Sequence, residues 1–257
     1  MLWFRSDLDD AEAWRAALVR ALPDLEVDTA REPRDAAAVR FALVFRPPPH
    51  ALAALPHLEA IFSLAAGVED LLTDPTLPDV PLCRMVDPGL TATIADYAHL
   101  AVLRAHRRFD RFAAHQAEAR WRPETPRLAG ELTVAVLGLG ELGTAVARRL
   151  ADHGYGVRGW SRTAKTLDGV TTFAGPDGLQ PCVRDADVVI ALLPATPATG
   201  DLFDAAFFAA MTPGATFVNL GRGDQLVEAD LLNALDDGRL AGAVLDVFRE
   251  EPLPAGH

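Results

Sequence analysis

Cysteine is almost missing from this chain of 257 residues: Cys83 and Cys182 are the only two. They are too few and too isolated for a disulfide framework or a zinc site, so both are expected to be buried thiols in a reducing compartment. No apolar run approaches the roughly 20 residues that span a bilayer. The opening stretch MLWFRSDLDD turns acidic before an apolar core of signal-peptide length develops, which points to a cytoplasmic protein. Positive charge is in the minority, with 24 Lys and Arg against 36 Asp and Glu and a net charge of −12. With a pI near 4.9, nucleic acid and anionic membranes are poor general partners. A local basic pocket for an anionic small molecule is still allowed. What remains is ordinary for a globular protein of one or two domains, 50% hydrophobic and 23% charged.

Short apolar runs alternate with helical patterns along the whole chain. Residues 2–4, 25–27, 41–45 and 61–64 read as strands, and residues 11–22 as the clearest early helix. Such alternation predicts parallel sheets covered on both faces. The run Arg46-Pro47-Pro48-Pro49 ends one strand, because proline cannot donate to a sheet ladder. A helical pattern from Thr91 to about Glu118 is expected to be one uninterrupted helix linking two domains. Its basic block, Arg104, His106, Arg107 and Arg108, reads as a solvated or subunit-facing surface. His99, His106 and His115 fall in no paired motif and receive no chemistry. Strands are again expected at 157–160, 188–193, 215–220 and 243–248, with helices at 204–211 and 228–235. Repeated right-handed crossovers of this kind build a doubly wound sheet, whose ligands sit outside the carboxyl ends of the strands.

The organising stretch is residues 132–165, LTVAVLGLGELGTAVARRLADHGYGVRGWSRTAK. An apolar β-prone run leads into Gly138, Gly140 and Gly143, and a helix with Leu142, Val146 and Leu150 on one face follows at once. Strand, glycine turn and helix in that order form a dinucleotide-binding fingerprint. The first glycine permits a tight turn, the second admits a pyrophosphate, and the third lets helix pack on strand. Gly138, Gly140, Glu141, Leu142 and Gly143 are therefore cofactor-binding candidates, with the helix N-terminus facing the phosphates.

The strand at 157–160 should end beside the adenosine ribose, where an NAD-binding unit usually presents Asp or Glu. Here Ser161, Arg162, Thr163 and Lys165 follow instead. A guanidinium and hydroxyls suit a 2′-phosphate, which a carboxylate would repel, so NADPH is expected in preference to NADH. Three further motifs fall at strand ends: Leu193-Pro194, then Leu220-Gly221-Arg222-Gly223, then residues 246–251. Arg222, between two glycines, has the planar guanidinium that holds the carboxylate of an α-keto acid and polarises its carbonyl. Asp246 ends a strand among apolar residues and wants a partner such as a nicotinamide carboxamide. Glu251, stiffened by Pro252, can orient and charge an imidazole. Earlier in the chain, Ala66, Gly67 and Val68 lie in a turn of small residues whose bare N–H groups suit a carboxylate.

These motifs together carry a resemblance. LAAGVEDLL (64–72), GLGELG (138–143), WSRTAK (160–165), LLPATPATGDLF (192–203), NLGRGDQLVEADLLNALDDGRLAGAVLDVF (219–248) and REEPLP (249–254) resemble the D-isomer-specific 2-hydroxyacid dehydrogenases. The similarity is closest to the NADPH-dependent glyoxylate/hydroxypyruvate reductase branch, spans nearly the whole chain, and includes FALVFRPPP. It implies two doubly wound parallel-sheet α/β domains. Residues 1–92 would form a flavodoxin-like substrate domain and residues 93–257 the Rossmann dinucleotide-binding domain, with a cleft between them and a homodimer as the assembly. It further implies that Ala66, Gly67, Val68 and Arg222 bind the substrate carboxylate while hydride passes from nicotinamide C4 to the keto carbon. Phe45 falls where relatives carry an aromatic beside the substrate.

One departure stands out. In the family the acid/base histidine lies in a Thr-Pro-His segment beyond the Glu-Pro-Leu-Pro motif, and a final helix completes the substrate domain; residues 1–257 hold neither. His257 follows the proline motif too soon to be that histidine, and a further carboxyl-terminal segment is expected to supply it. The function implied is NADPH-dependent reduction of a small 2-keto acid, glyoxylate or hydroxypyruvate, to the D-2-hydroxy acid, with no metal. The alternatives are an NAD-dependent dehydrogenase of another 2-hydroxy acid and a catalytically silent NADPH-binding protein.

Overall fold

The computed structural model describes residues 1–257, which separate into two compact units, Met1–Asp87 and Pro88–His257. The division falls where a helix begins at Pro88, in the first turn where proline costs no hydrogen bond; the expected boundary is 92/93.

Unit 1 contains β1 (Leu2–Arg5), α1 (Ala11–Ala21), β2 (Val27–Asp28), β3 (Phe41–Val44), β4 (Ala60–Ser63), α2 (Glu69–Leu72) and β5 (Leu82–Cys83). Its sheet runs β2-β1-β3-β4-β5, all parallel, which is the flavodoxin-like order. The Asp10 carboxylate starts α1 by accepting from the N–H groups of Glu12 and Ala13, both at 3.0 Å. Trp3, Val39, Ala42, Val44, Ile61 and Leu71 make the centre of its core. Cys83 is exposed rather than buried. It sits on the two-residue edge strand β5, which has a neighbour on one side only.

Unit 2 contains α3 (Pro88–His106), α4 (Phe109–Ala117), β6 (Thr133–Leu137), α5 (Glu141–Asp152), β7 (Gly156–Ser161), β8 (Val170–Ala174), α6 (Pro176–Val183), β9 (Val188–Ala191), α7 (Ala205–Ala210), β10 (Ala215–Asn219), α8 (Glu228–Asp236) and β11 (Leu240–Leu245). The sheet order β11-β10-β9-β6-β7-β8 is that of a Rossmann fold, with the chain reversing direction across the sheet between β6 and β9. Successive side chains of a strand point to opposite faces. Val134 and Val136 accordingly join the core under α3 and α5, whereas Ala135 and Leu137 join the aromatic cluster of Phe203, Phe207, Phe208 and Phe217. Because both faces are covered, β9 reads as an unbroken apolar run, Val-Val-Ile-Ala, and every residue in it is buried.

The long helix expected over 91–118 is instead two. Arg108 adopts a left-handed conformation, φ 53°, which ends α3 and starts α4. Ala95, Ala98, Ala101 and Val102 bury into the core of unit 2 beside Val134, Val146 and Leu150. β8 and α6 escape the hydrophobic pattern because Val170-Thr171-Thr172-Phe173-Ala174 is a half-buried edge strand and α6 carries prolines at 176 and 181. β11 begins three residues earlier than expected and stops at Leu245.

Candidate active site

The sheet order of unit 2 lines up the sequence motifs. Taken across its carboxyl edge, Asp246 follows β11, Arg222 follows β10, Leu193-Pro194 follows β9, the glycine turn follows β6, and residues 162–165 follow β7, which ends at Ser161. Candidates scattered over more than a hundred positions thus become one row along one edge.

The glycine turn passes a direct test of fit for a dinucleotide. Gly138 has φ +101°, and a Cβ there would lie 2.6 Å from the carbonyl oxygen of Leu192. A Cβ on Gly143 would lie 1.7 Å from the oxygen of Gly138, so α5 can pack on β6 only with glycine there. Gly140, at the N-cap of α5, faces open space, with nothing within 4 Å of an added Cβ. Two glycines serve packing, and the third keeps a bare backbone at the mouth of the helix, where a pyrophosphate approaches. Glu141 is exposed, whereas Leu142 is half-buried.

At the end of β7, Arg162, Thr163 and Lys165 are exposed and Ser161 is buried. The Ser161 hydroxyl donates inward to Thr163 O at 2.8 Å, so its proton is committed to shaping the turn rather than to a ligand. Lys165 reaches back to the glycine turn and donates to Leu139 O. The cationic loop is therefore folded over the turn that would carry the phosphates. No carboxylate occurs between Ser161 and Thr166.

Arg222 is held by two wholly buried amides that the hydrophobic pattern does not reveal. Asn219, the last residue of β10, accepts from Gly221 N–H at 3.0 Å and donates to Arg222 O at 3.1 Å. Gln225 donates to Leu193 O at 3.1 Å and Pro194 O at 2.9 Å, tying the β10 turn to the β9 turn. The signal that points to Asn219 is a carboxamide closing an apolar strand just before Gly-Arg-Gly; such a buried group is stable only when paired. The Arg222 guanidinium donates to Gly221 O at 2.8 Å. Leu193 and Leu220 are buried, so they support the row through packing.

The segment after β11 closes against this turn. A Cβ on Gly223 would lie 1.9 Å from the carbonyl carbon of Phe248, which brings the two backbones into direct contact. Asp246 is exposed, one residue past β11, and is not enclosed by apolar neighbours; its N–H donates to Asn219 O at 3.0 Å. Glu251 Oε1 accepts from Phe248 N–H at 3.0 Å, and a cis peptide joins it to Pro252. His257 Nε2 lies 2.8 Å from Glu228 Oε2, so its carboxylate partner is Glu228 rather than Glu251.

Unit 1 contributes its own strand ends. Phe45, half-buried, is the first residue after β3, and its N–H donates to Arg5 O at 2.8 Å. After β4, Leu64 N–H donates to Val44 O at 2.9 Å and Ala65 N–H to Ser63 Oγ at 3.1 Å. Ala66, Gly67 and Val68 then form the half-buried turn before α2.

Residues 99–257 match the family described as D-isomer specific 2-hydroxyacid dehydrogenase, NAD binding domain. The chain belongs to that family. Glyoxylate/hydroxypyruvate reductase A of Serratia proteamaculans is 42% identical over 254 residues, covering 96% of this chain and 81% of the relative. A D-isomer specific 2-hydroxyacid dehydrogenase from Xanthobacter autotrophicus Py2, solved with NADPH and MES, is similar with TM-score 0.95 and 42% identity, over 100% of this chain and 83% of that one. An NADPH-dependent glyoxylate/hydroxypyruvate reductase from Sinorhizobium meliloti, solved with NADP and sulfate, matches with TM-score 0.91 and 37% identity, over 100% and 84% of the two chains. The matched residues include the glycine turn of unit 2. No helix in the chain is long and apolar enough to cross a membrane.

Proposed function

We propose that this dehydrogenase reduces a small 2-keto acid, glyoxylate or hydroxypyruvate, to the D-2-hydroxy acid with NADPH. The observation that carries the reading is the order of groups along one sheet edge. A bare glycine cradle lies after β6, a cationic turn without a carboxylate after β7, and a braced arginine after β10. Relatives that reduce glyoxylate and hydroxypyruvate, and neighbours solved with NADPH or NADP, support the same assignment.

Gly138, Gly140, Glu141, Leu142 and Gly143 would hold the pyrophosphate, with Arg162, Thr163 and Lys165 on the 2′-phosphate. Leu193, Pro194, Leu220, Gly221, Arg222 and Asp246 would complete the cofactor site, with Asp246 toward the nicotinamide carboxamide. When bound, the nicotinamide supplies the hydride. Arg222 pairs with the substrate carboxylate through two parallel N–H···O bonds, which orients the keto group and draws electron density from it. In unit 1, the Ala66-Gly67-Val68 turn and Phe45 are the substrate-contacting candidates. Glu251 is assigned to orient and charge the imidazole that protonates the keto oxygen.

A homodimer is part of the proposal. Along α3, α4 and the segment after them, Tyr97, Leu100, Phe109, Phe112, Trp121 and Leu128 are exposed, Trp121 at 96% and Leu128 at 74%. A second copy that covered these side chains would remove an apolar surface of a kind soluble monomers rarely leave bare. Light scattering on the purified protein tests this: twice the mass of its single chain, read by mass spectrometry, is expected.

The functional test is NADPH oxidation with a panel of glyoxylate, hydroxypyruvate, pyruvate and phenylpyruvate, repeated with NADH. Turnover of the two small acids with NADPH preferred is the expected result. Tight NADPH binding with no turnover of any acid would point to the silent binding protein instead, and NADH preference to a different dehydrogenase.

A further inference from the structure

Two loops of unit 1 are fastened to each other at two matched points. One follows β3 and begins Phe45-Arg46-Pro47-Pro48-Pro49-His50; the other follows β4 and contains α2. Arg46 Nε donates to Asp70 Oδ2 at 3.0 Å. Four residues further along each loop, His50 N–H donates to Asp74 Oδ2 at 3.0 Å, and His50 Nδ1 lies 2.9 Å from Thr76 Oγ1. Arg46 and His50 both adopt left-handed backbone conformations, φ 44° and 63°, which turn this short loop toward α2. The Arg46 guanidinium also sits over the ring of Phe45, with Cζ 5.5 Å from the centroid. A carboxylate, a guanidinium and an aromatic ring therefore stand in series.

The two fastenings differ in character. Asp74 is mostly enclosed and accepts from His50 and from both the N–H and hydroxyl of Thr76. Those bonds hold its carboxyl at about 2, below the ordinary value of 3.8. It anchors the far end of the loop. Arg46 and Asp70 are exposed, with side chains 64% and 68% accessible. An exposed pair of this kind contributes little to stability. Asp70 lies two residues past Val68, in the element that opens directly from the Ala66-Gly67-Val68 turn. It reaches, through Arg46, the one aromatic side chain at the end of the neighbouring strand β3.

We propose that Asp70 is a positioning residue for substrate size: by holding Arg46 across the Phe45 ring, it sets the spacing between Phe45 and the Ala66-Gly67-Val68 turn and so favours small 2-keto acids. The inference rests on the assignment of Phe45 and that turn to the substrate. Asp70 touches neither substrate nor cofactor and acts only through Arg46. A guanidinium stacked on the ring while bonded to a carboxylate restrains the ring from two directions; released, the ring and the proline run can swing outward.

The test is steady-state kinetics of Asp70→Asn, Arg46→Gln and the double variant on the full chain, with glyoxylate and phenylpyruvate as substrates. Each single variant is expected to raise KM for glyoxylate at least five-fold, change KM for phenylpyruvate less than two-fold, and leave KM for NADPH within two-fold. The double variant is expected to match the single ones, because both remove one linkage. Asp70→Glu, which keeps the charge, should recover most of the glyoxylate KM. Raising ionic strength should move the wild type toward the variants, since an exposed ion pair is screened. Unchanged KM for glyoxylate in both single variants overturns the proposal, as do additive effects in the double variant or equal losses for both acids. Loss of cooperative thermal unfolding in Asp70→Asn would make Asp70 a folding residue and also overturn it. If the wild type reduces no 2-keto acid, the functional reading itself fails, a result distinct from wild-type turnover with indifferent variants.

Discussion

Asn219 brackets the backbone of Arg222: its carboxamide oxygen accepts from Gly221 N–H at 3.0 Å while its nitrogen donates to Arg222 O at 3.1 Å. Asn219 is wholly buried, so both bonds are made away from water. Asn219→Ala leaves a donor and an acceptor unpaired, at a cost of about 1–3 kcal/mol for each such group. A shift of the guanidinium by even an ångström should then lower turnover of 2-keto acids roughly 100-fold. NADPH affinity, measured by fluorescence titration, should change little. Turnover close to wild type in a folded Asn219→Ala protein would show that Arg222 needs no such brace.

The turn after β7 is expected to choose the cofactor. Charge-assisted hydrogen bonds to a phosphate contribute about 1.5–3 kcal/mol each, or about 10- to 100-fold in preference. Arg162→Glu should therefore lower the ratio of kcat/KM for NADPH to that for NADH by about that factor or more, since the new carboxylate also repels the 2′-phosphate. A ratio that stays constant would remove Arg162 from cofactor selection.

Lys165 is the only lysine in the chain, which makes it a chemical reporter of the same site. Within residues 1–257, amine-directed labelling of the folded protein should modify Lys165 and the amino terminus, as read by peptide mass spectrometry. Bound NADPH should slow the reaction at Lys165 and leave the amino terminus unaffected. Equal protection by NADH would argue that Lys165 faces the shared part of the dinucleotide rather than the 2′-phosphate.

The His99 ring packs edge-on against His153, with centroids 4.4 Å apart, and faces Tyr155 at 6.3 Å. Burial, and secondarily the neighbouring His153, push its pKa below the usual 6.5. The unfolded chain then binds the proton more readily than the folded one. Stability contributed by His99 is full above about pH 6.5 and is lost as pH falls through that value toward the lower folded pKa. Thermal unfolding should show Tm falling between pH 8 and pH 5, and His99→Gln should flatten that slope. A slope that is the same in both proteins would clear His99 of the effect.

The two thiols should separate by reactivity. Cys83 is exposed, whereas Cys182 is wholly buried, and burial pushes its thiol up to about 12. A thiol reagent at pH 8 should modify Cys83 but not Cys182 in the folded protein, and both after denaturation. Rapid reaction of both groups in the native protein would mean that unit 2 opens around α6.

Much of this molecule was legible in its residues because periodicity and glycine placement are local properties. The strand before Gly138, the helix carrying Val146 and Leu150, and the alternation that builds two parallel sheets each follow from a few neighbouring side chains. Expectation failed where a single backbone angle or a distant partner took control. One left-handed residue, Arg108, divides a helix whose hydrophobic pattern runs on without a break. β8 is half-polar because it lies at a sheet edge, and Cys83 is exposed for the same reason.

By itself, then, the sequence determined the fold class, the glycine turn between β6 and α5 and the cationic character of the residues after β7, since each is written in residue types at short spacing. Only the tertiary structure decided which of those residues work together. Parallel strands carry their neighbours in from far along the chain, and it was this pairing that tied Gln225 to Leu193 and Pro194 and joined Asp70 to Phe45 through Arg46. A buried amide or an exposed ion pair has no periodicity to announce it; its role comes from the partner that folding brings to it.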